Sequence, residues 1–146
     1  MDEVITVSFP AKPVHVRLAR VLVRNFLLYK SVADKDIFDT ELAIDEAIAN
    51  VITHTYDNDS TKYVLMTLKW EYATTKLSVL IRDFGPSVNP AVLKPRPIQE
   101  HSTSGFGLHI IHEVFDCVSL KNLVNGNLLT LTKTYRLSSY ERKENS

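Results

Sequence analysis

One cysteine in 146 residues, Cys117, permits no internal disulfide. That excludes a stapled secreted scaffold and fits a reducing cytoplasm. Charge of either sign is not in excess either: seventeen Lys and Arg balance seventeen Asp and Glu. No global field therefore draws the chain to nucleic acid or to an anionic membrane surface. No apolar run approaches the ~20 residues of a membrane span, and the opening Met1-Asp2-Glu3 is acidic and lacks the apolar region of a signal peptide. There is no internal repeat. What remains is ordinary for a soluble globular chain, with 45% hydrophobic and 23% charged residues. The length suits one domain with a proper core, expected over residues 1–137, with a polar tail at 138–146 that frays.

Glycine is scarce, four in all, yet Gly105 and Gly107 stand one residue apart in Ser102-Thr103-Ser104-Gly105-Phe106-Gly107-Leu108. An apolar helical pattern follows: Leu108, Ile110, Ile111, Val114 and Phe115. A Gly-rich turn opening into a helix points backbone N–H groups outward at the positive end of the helix dipole, which is an anion site. Gly-x-Gly also marks ordinary tight turns, so the rest of the chain has to decide.

Val4 to Phe9 alternates and is β-branched, which predicts a strand. Pro10 and Pro13 end it, and Pro13 suits the first turn of a helix over 14–29. In that helix Arg17, Arg20 and Arg24 fall at i, i+3, i+7 as one basic stripe flanked by apolar residues. It reads as a solvated face or as a surface for a protein partner. Asp34 or Asp36 is the expected cap of a second helix reaching Thr55. On it Asp39, Ala43, Glu46, Asn50 and Thr53 share a narrow stripe, while Ile44, Ile48 and Val51 face the other way, toward a core. Glu46 and Asn50 are i, i+4, so their side chains meet. Tyr56–Ser60 is a turn, and Lys62–Trp70 with Lys76–Asp83 reads as a hairpin joined at 71–75. Residues 86–104 carry four of the six prolines and no periodicity, a loop long enough to be functional. Val118–Val124 and Leu128–Tyr135 form a last pair of strands around Asn125-Gly126.

Strand, helix, helix, hairpin, loop, helix, hairpin predicts an α/β (α+β) two-layer sandwich, its sheet mixed but mostly antiparallel and its helices on one face. Strand–helix–strand alternation is missing, which rules out a Rossmann fold. Three polar elements ask for one explanation: Glu46 with Asn50, Asp83 with Gly85, and the Gly105-Phe106-Gly107 turn. A nucleotide site uses each differently. An amide oxygen ligates Mg²⁺, a carboxylate one turn away serves as base, and a carboxylate beside a glycine accepts from an exocyclic amino group.

At these residues a resemblance becomes plain. Glu41-Leu42-Ala43-Ile44-Asp45-Glu46-Ala47-Ile48-Ala49-Asn50 through His54 resembles the N-box of the GHKL superfamily of ATPases and histidine kinases. Asp83-Phe84-Gly85 resembles its first glycine box and Gly105-Phe106-Gly107-Leu108 its second. The short length and the closing Gly126-Asn127-Leu128-Leu129-Thr130-Leu131-Thr132-Lys133 are similar to bacterial anti-sigma-factor serine kinases of the RsbW/SpoIIAB type. The resemblance runs from about Val4 to Tyr135 and implies the Bergerat ATP-binding fold. It implies Glu46 as catalytic base, Asn50 as the Mg²⁺ ligand and Asp83 as the reader of adenine, with Gly85 beneath the base. Ser104, Gly105, Phe106, Gly107, Leu108 and Thr130 join the ATP site, and residues 86–104 form a lid. The implied partners are a sigma factor, a STAS-domain anti-anti-sigma protein and a second copy of the chain, without direct contact to nucleic acid or membrane. The alternative is a partner-switching module that holds nucleotide, or none, and transfers no phosphate.

Two departures stand out. Ser87 occupies the place of the second glycine in the first glycine box, and the lid offers only Lys94 and Arg96 as cations. Asp83-Phe84-Gly85 is also the Mg²⁺ motif of eukaryotic protein kinases, but no His-Arg-Asp loop precedes it. His109 and His112 at i, i+3 with Cys117 lack the spacing of a zinc site, and Cys117 reads as a small core residue.

Overall fold

The computed structural model describes residues 2–93 and 106–137. Five strands form one sheet in the order β1-β2-β3-β5-β4. They are β1 (Glu3–Pro10), β2 (Tyr63–Glu71), β3 (Lys76–Asp83), β4 (Cys117–Leu123) and β5 (Gly126–Thr134). All four neighbouring pairs are antiparallel. Three helices cover one face: α1 (Pro13–Leu28), α2 (Asp34–Asn50) and α3 (Phe106–Val114). This is the expected two-layer sandwich.

Period-2 alternation explains the layering. On β2, Val64, Met66, Leu68 and Trp70 are buried, and on β3 Leu77, Val79 and Ile81 are. Their neighbours Leu65, Thr67, Ser78 and Leu80 lie on the outer face, which no helix among the described residues covers. From the other side the core is filled by Val23 and Leu27 of α1 and by Ile44 and Ile48 of α2. At one end Trp70 stacks on Tyr135, ring centres 5.9 Å apart. The Tyr135 hydroxyl meets Thr40 of α2 at 2.6 Å, and burial pushes that phenol's pKa up.

Local departures have physical causes. Ala33, not Asp34 or Asp36, is the N-cap of α2, and it makes no side-chain capping bond. The two aspartates stand in the first turn instead, where they favour the helix dipole. The second helix does reach Thr55, but Val51–Thr55 widens into a π-helical turn closed by Tyr56 N–H to Val51 O at 2.9 Å. Such turns accompany functional sites. The predicted turn after it holds Asp57 and Asn58 at positive φ. In the last hairpin Gly126 has φ +134°, and a Cβ there would lie 2.0 Å from Asp83 O. Only glycine lets the start of β5 pass that close to the end of β3. Cys117 is exposed at the start of edge strand β4, so it is not the core residue expected.

Candidate functional site

The last residue of β3, Asp83, points to the helix side with Ile81 and is 3% exposed. One carboxylate oxygen, Oδ1, accepts from Gly85 N–H at 3.0 Å and from Asn127 Nδ2 at 2.9 Å. Among the described residues no donor reaches Oδ2. The buried carboxylate is thus fixed through one oxygen and keeps the other as an acceptor.

Behind it stands the π-helical turn. Tyr56 receives the Phe84 N–H on its hydroxyl at 2.8 Å and donates that hydroxyl to Tyr63 O. Burial pushes the Tyr56 phenol's pKa up, keeping it a donor. Gly85 is pressed against this turn: a Cβ would meet Thr55 Cγ2 at 2.6 Å and the Tyr56 ring at 3.3 Å. The space above Gly85 is therefore taken on one side by protein, a reason for glycine beyond the approach of a base.

The acidic residues of α2 divide by partner. Glu41, 2% exposed, takes a two-pronged bond from Arg24, Nε to Oε1 at 2.7 Å and Nη2 to Oε2 at 3.2 Å. Arg20 approaches Asp45 Oδ2 at 3.2 Å and Glu41 at 4.0 Å. Burial pushes the Asp45 carboxyl up against the pull of Arg20, and its Oδ1 is buried with no partner among the described residues. Two arginines of the basic stripe thus clamp α1 to α2, and only Arg17 remains turned to solvent with no ion pair among the described residues. Glu46 and Asn50 differ from both acids. They are half-buried, and among the described residues neither has a hydrogen-bond or ion-pair partner. A carboxylate and a neutral amide one turn apart, neither paired among the described residues, offer oxygens of the kind a hard cation such as Mg²⁺ takes, the amide oxygen of Asn50 being the one expected to hold it. Asp39, on the same stripe of α2, lines a groove of about 250 Å³ between α2 and α3 with Leu42, Ile110, Glu113, Val114 and Lys133. That groove lies about 16 Å along α2 from Asn50, at 1.5 Å rise per residue.

The glycine turn divides as well. Gly107 lies in the first described turn of α3, which runs Phe106–Val114. Leu108 is half-buried and packs on the core. Ser104 and Gly105 lie outside the described residues, as do Lys94, Arg96, the rest of the lid from 94 to 104 and the tail at 138–146. The described start of the lid ends in a 3-10 turn, Pro90–Leu93, whose Leu93 O lies 2.6 Å from His112 Nε2 of α3.

Thr130 is not at this site. It pairs with Leu80 and Ser119 in the sheet register, and strand alternation puts it on the outer face, opposite to Asp83. Sequence reasoning missed Asn127, which has the right parity and stands directly across from Asp83. The signal was its distance from the Asn125-Gly126 turn, two residues into a strand whose inward side is Leu129 and Leu131.

A buried acceptor at a strand end, a Glu and an Asn on the adjoining helix with no partner among the described residues, and the described start of α3 at Phe106 make up the candidate site of this α/β sandwich. The chain belongs to the histidine kinase-like ATPase domain family, whose model matches residues 9–133. It is similar to the serine-protein kinase RsbW of Halalkalibacterium halodurans, 28% identical over 139 residues, covering 90% of this chain and 83% of the relative. The RsbW kinase of Oceanobacillus iheyensis is 27% identical over 127 residues, 81% of this chain and 78% of the relative. Among solved structures, the RsbU and RsbW domains of a Mycobacterium tuberculosis protein superpose with TM-score 0.63 at 17% identity. That match covers 94% of this chain and 35% of the larger one. The SiaB–SiaC complex of Pseudomonas aeruginosa gives TM-score 0.60 at 14% identity over 88% and 86% of the two chains. Both carry the fold. Among the described residues no helix is long and apolar enough to cross a membrane.

Proposed function

We propose that this chain is an ATP-dependent protein serine kinase that doubles as an anti-sigma factor in the cytoplasm. It binds a sigma factor and phosphorylates a serine on a STAS-type anti-anti-sigma protein. The observation that carries the nucleotide reading is Asp83, buried and, among the described residues, bonded through Oδ1 alone, with Oδ2 left to accept from the adenine amino group. The kinase reading is supported by relatives that are serine-protein kinases over most of both chains.

Bound MgATP would supply the phosphoryl group. Asn50 would hold Mg²⁺ by its amide oxygen, and Glu46, one turn away, would take the proton of the incoming serine. The N-terminal turn of α3, from Phe106, would offer its backbone N–H groups to the phosphates. Gly105, Ser104 and the lid cations Lys94 and Arg96 belong to the same proposal.

For protein partners, the outer side of α1 is the surface we propose. Val14, Leu18, Val21 and Leu28 are each about half exposed or more and lie on one face of the helix. Arg17 borders them and Tyr29 follows. Such an apolar strip on a soluble domain marks a protein interface, for a sigma factor, a STAS protein or a second copy.

The competing reading is a partner-switching module without phosphotransfer, and Ser87 in place of a glycine favours it. Incubation with MgATP and a cognate STAS protein separates the two. Serine phosphorylation lost in Glu46→Gln, with nucleotide affinity retained, supports the kinase. Nucleotide binding without transfer in the native chain would leave the module.

A further inference from the structure

Asn127 is fully buried, and every hydrogen-bonding capacity of its amide is used. Nδ2 donates to Asp83 Oδ1 at 2.9 Å and to Pro86 O at 2.8 Å. Oδ1 accepts from Val88 N–H at 3.0 Å and from Asn122 Nδ2 at 2.8 Å. Asn122, exposed on edge strand β4, gives a second amide bond to Val88 O at 2.9 Å.

Chemistry settles which way this amide points. Its Nδ2 faces a carboxylate and a carbonyl, which only accept, and its Oδ1 faces a backbone N–H, which only donates. Asn122 is oriented by the same rule, because Val88 O accepts. The network has one arrangement rather than two.

We infer that Asn127 is a positioning residue that couples the carboxylate of Asp83 to the root of the loop following β3. The inference rests on the nucleotide reading above and adds a residue and a linkage to it. One planar amide holds Asp83 Oδ1 and both ends of the Pro86–Val88 segment. A shift of Val88 therefore turns the Asn127 amide, and with it the carboxylate whose Oδ2 faces a base. Recognition of the base and placement of the loop root respond together, and Asn122 braces the joint from the neighbouring strand. Ser87, in the middle of the held segment, needs no glycine freedom for this, since its flanking residues are anchored on both sides.

The test compares two Mg²⁺-nucleotides by isothermal titration calorimetry: ADP and purine riboside diphosphate, in which hydrogen replaces the 6-amino group. Hydrogen exchange at the Val88 amide is followed in parallel. The native chain should prefer ADP. Asn127→Ala should shrink that preference by about tenfold or more, as expected for losing alignment of a charge-assisted bond, with faster exchange at Val88. Asn122→Ala, which does not touch Asp83 and sits on the surface, should shrink the preference less, again with faster Val88 exchange. Equal losses of affinity for both nucleotides in Asn127→Ala, leaving the preference unchanged, would overturn the inference and make Asn127 structural only. If Asn127→Ala does not fold, an unchanged preference in Asn122→Ala overturns it. A native chain that binds neither nucleotide overturns the nucleotide reading itself, a different result from a native chain that discriminates and a variant that discriminates equally.

Discussion

Gly85→Ala is the sharpest steric test of how the end of β3 meets the π-helical turn. The added methyl would stand 2.6 Å from Thr55 Cγ2 and 3.3 Å from two ring carbons of Tyr56. Ordinary carbon contacts begin near ~3.5 Å, so the first is short by about 0.9 Å. Tyr56 cannot yield easily, being buried and tied at its hydroxyl to both Phe84 N–H and Tyr63 O. No positive φ is involved at Gly85, so the cost is packing and not backbone strain. Overpacking of this kind costs about 1–3 kcal/mol. For a domain of this size that lowers Tm by roughly 3–10 °C. Thr55→Ser removes the offending methyl and keeps the hydroxyl. In Thr55→Ser/Gly85→Ala most of the loss should return, a coupling of about 0.5–3 kcal/mol in a double-mutant cycle. Thermal and urea unfolding of the four proteins give the cycle. Additive losses would refute the assignment of the clash to Thr55.

Nucleotide should raise stability in proportion to occupancy, about 2.7 kcal/mol at 100 times the dissociation constant. Scanning calorimetry with MgATP, MgADP and MgGTP should show an adenine-selective shift that Asn50→Ala weakens and Glu46→Gln leaves in place. Glu46→Gln should lower phosphotransfer to a STAS protein by about 10²–10⁴-fold, the usual contribution of a general base, measured in single-turnover assays. The raised pKa of Asp45 means its charge is resisted by the fold above that value, while its protonated form is accommodated. Stability from this group is present below the unfolded value of 3.8 and is lost as pH rises through the folded value. Asp45→Asn should therefore raise Tm at pH 7, with the gain fading as pH falls toward 4. Leu18→Glu on the outer side of α1 should abolish capture of a protein partner in pull-down assays while MgADP affinity stays unchanged.

Local pattern was enough for the elements. The alternation of β2 and β3 and the 3.6-residue spacing of Ile44, Ile48 and Val51 are properties of short windows, and the strands and helices lie where they imply. Asp83, Glu46 and Asn50 could be singled out as candidates because each belongs to a compact motif, and their roles are part of the proposal. What was not legible depends on distant packing. Asn127 faces Asp83 only because β5 pairs with β3 in one register, 44 residues away in sequence. Thr130 misled for the same reason: its parity, not its identity, sends it to the outer face. Arg20 and Arg24 read as a free stripe until α1 is laid on α2 and two acids meet them. The π-helical turn carries no periodicity of its own, since one widened turn barely moves the apolar pattern around it.

That last packing also explains why Glu46 is available. α2 carries Glu41, Asp45 and Glu46 within six positions, and a carboxylate drawn into an arginine pair is a poor base. At 100° per residue Glu41 and Asp45 share a face, turned toward α1, and the two arginines there are spaced i, i+4 to meet them. Glu46 is rotated a further 100°, off the arginine side, on the same face as Asn50. The basic residues of α1 thus pair with the two acids that α2 turns toward it and leave Glu46 with no cation partner among the described residues. Moving Arg20 one position along α1 should break this division. Arg20→Ala with Val21→Arg would expose Asp45 to no cation, turn the arginine to solvent and destabilise the α1–α2 seam without altering Glu46 chemistry. Loss of phosphotransfer in that variant at unchanged MgADP affinity and unchanged fold would show instead that Arg20 acts on the reacting groups.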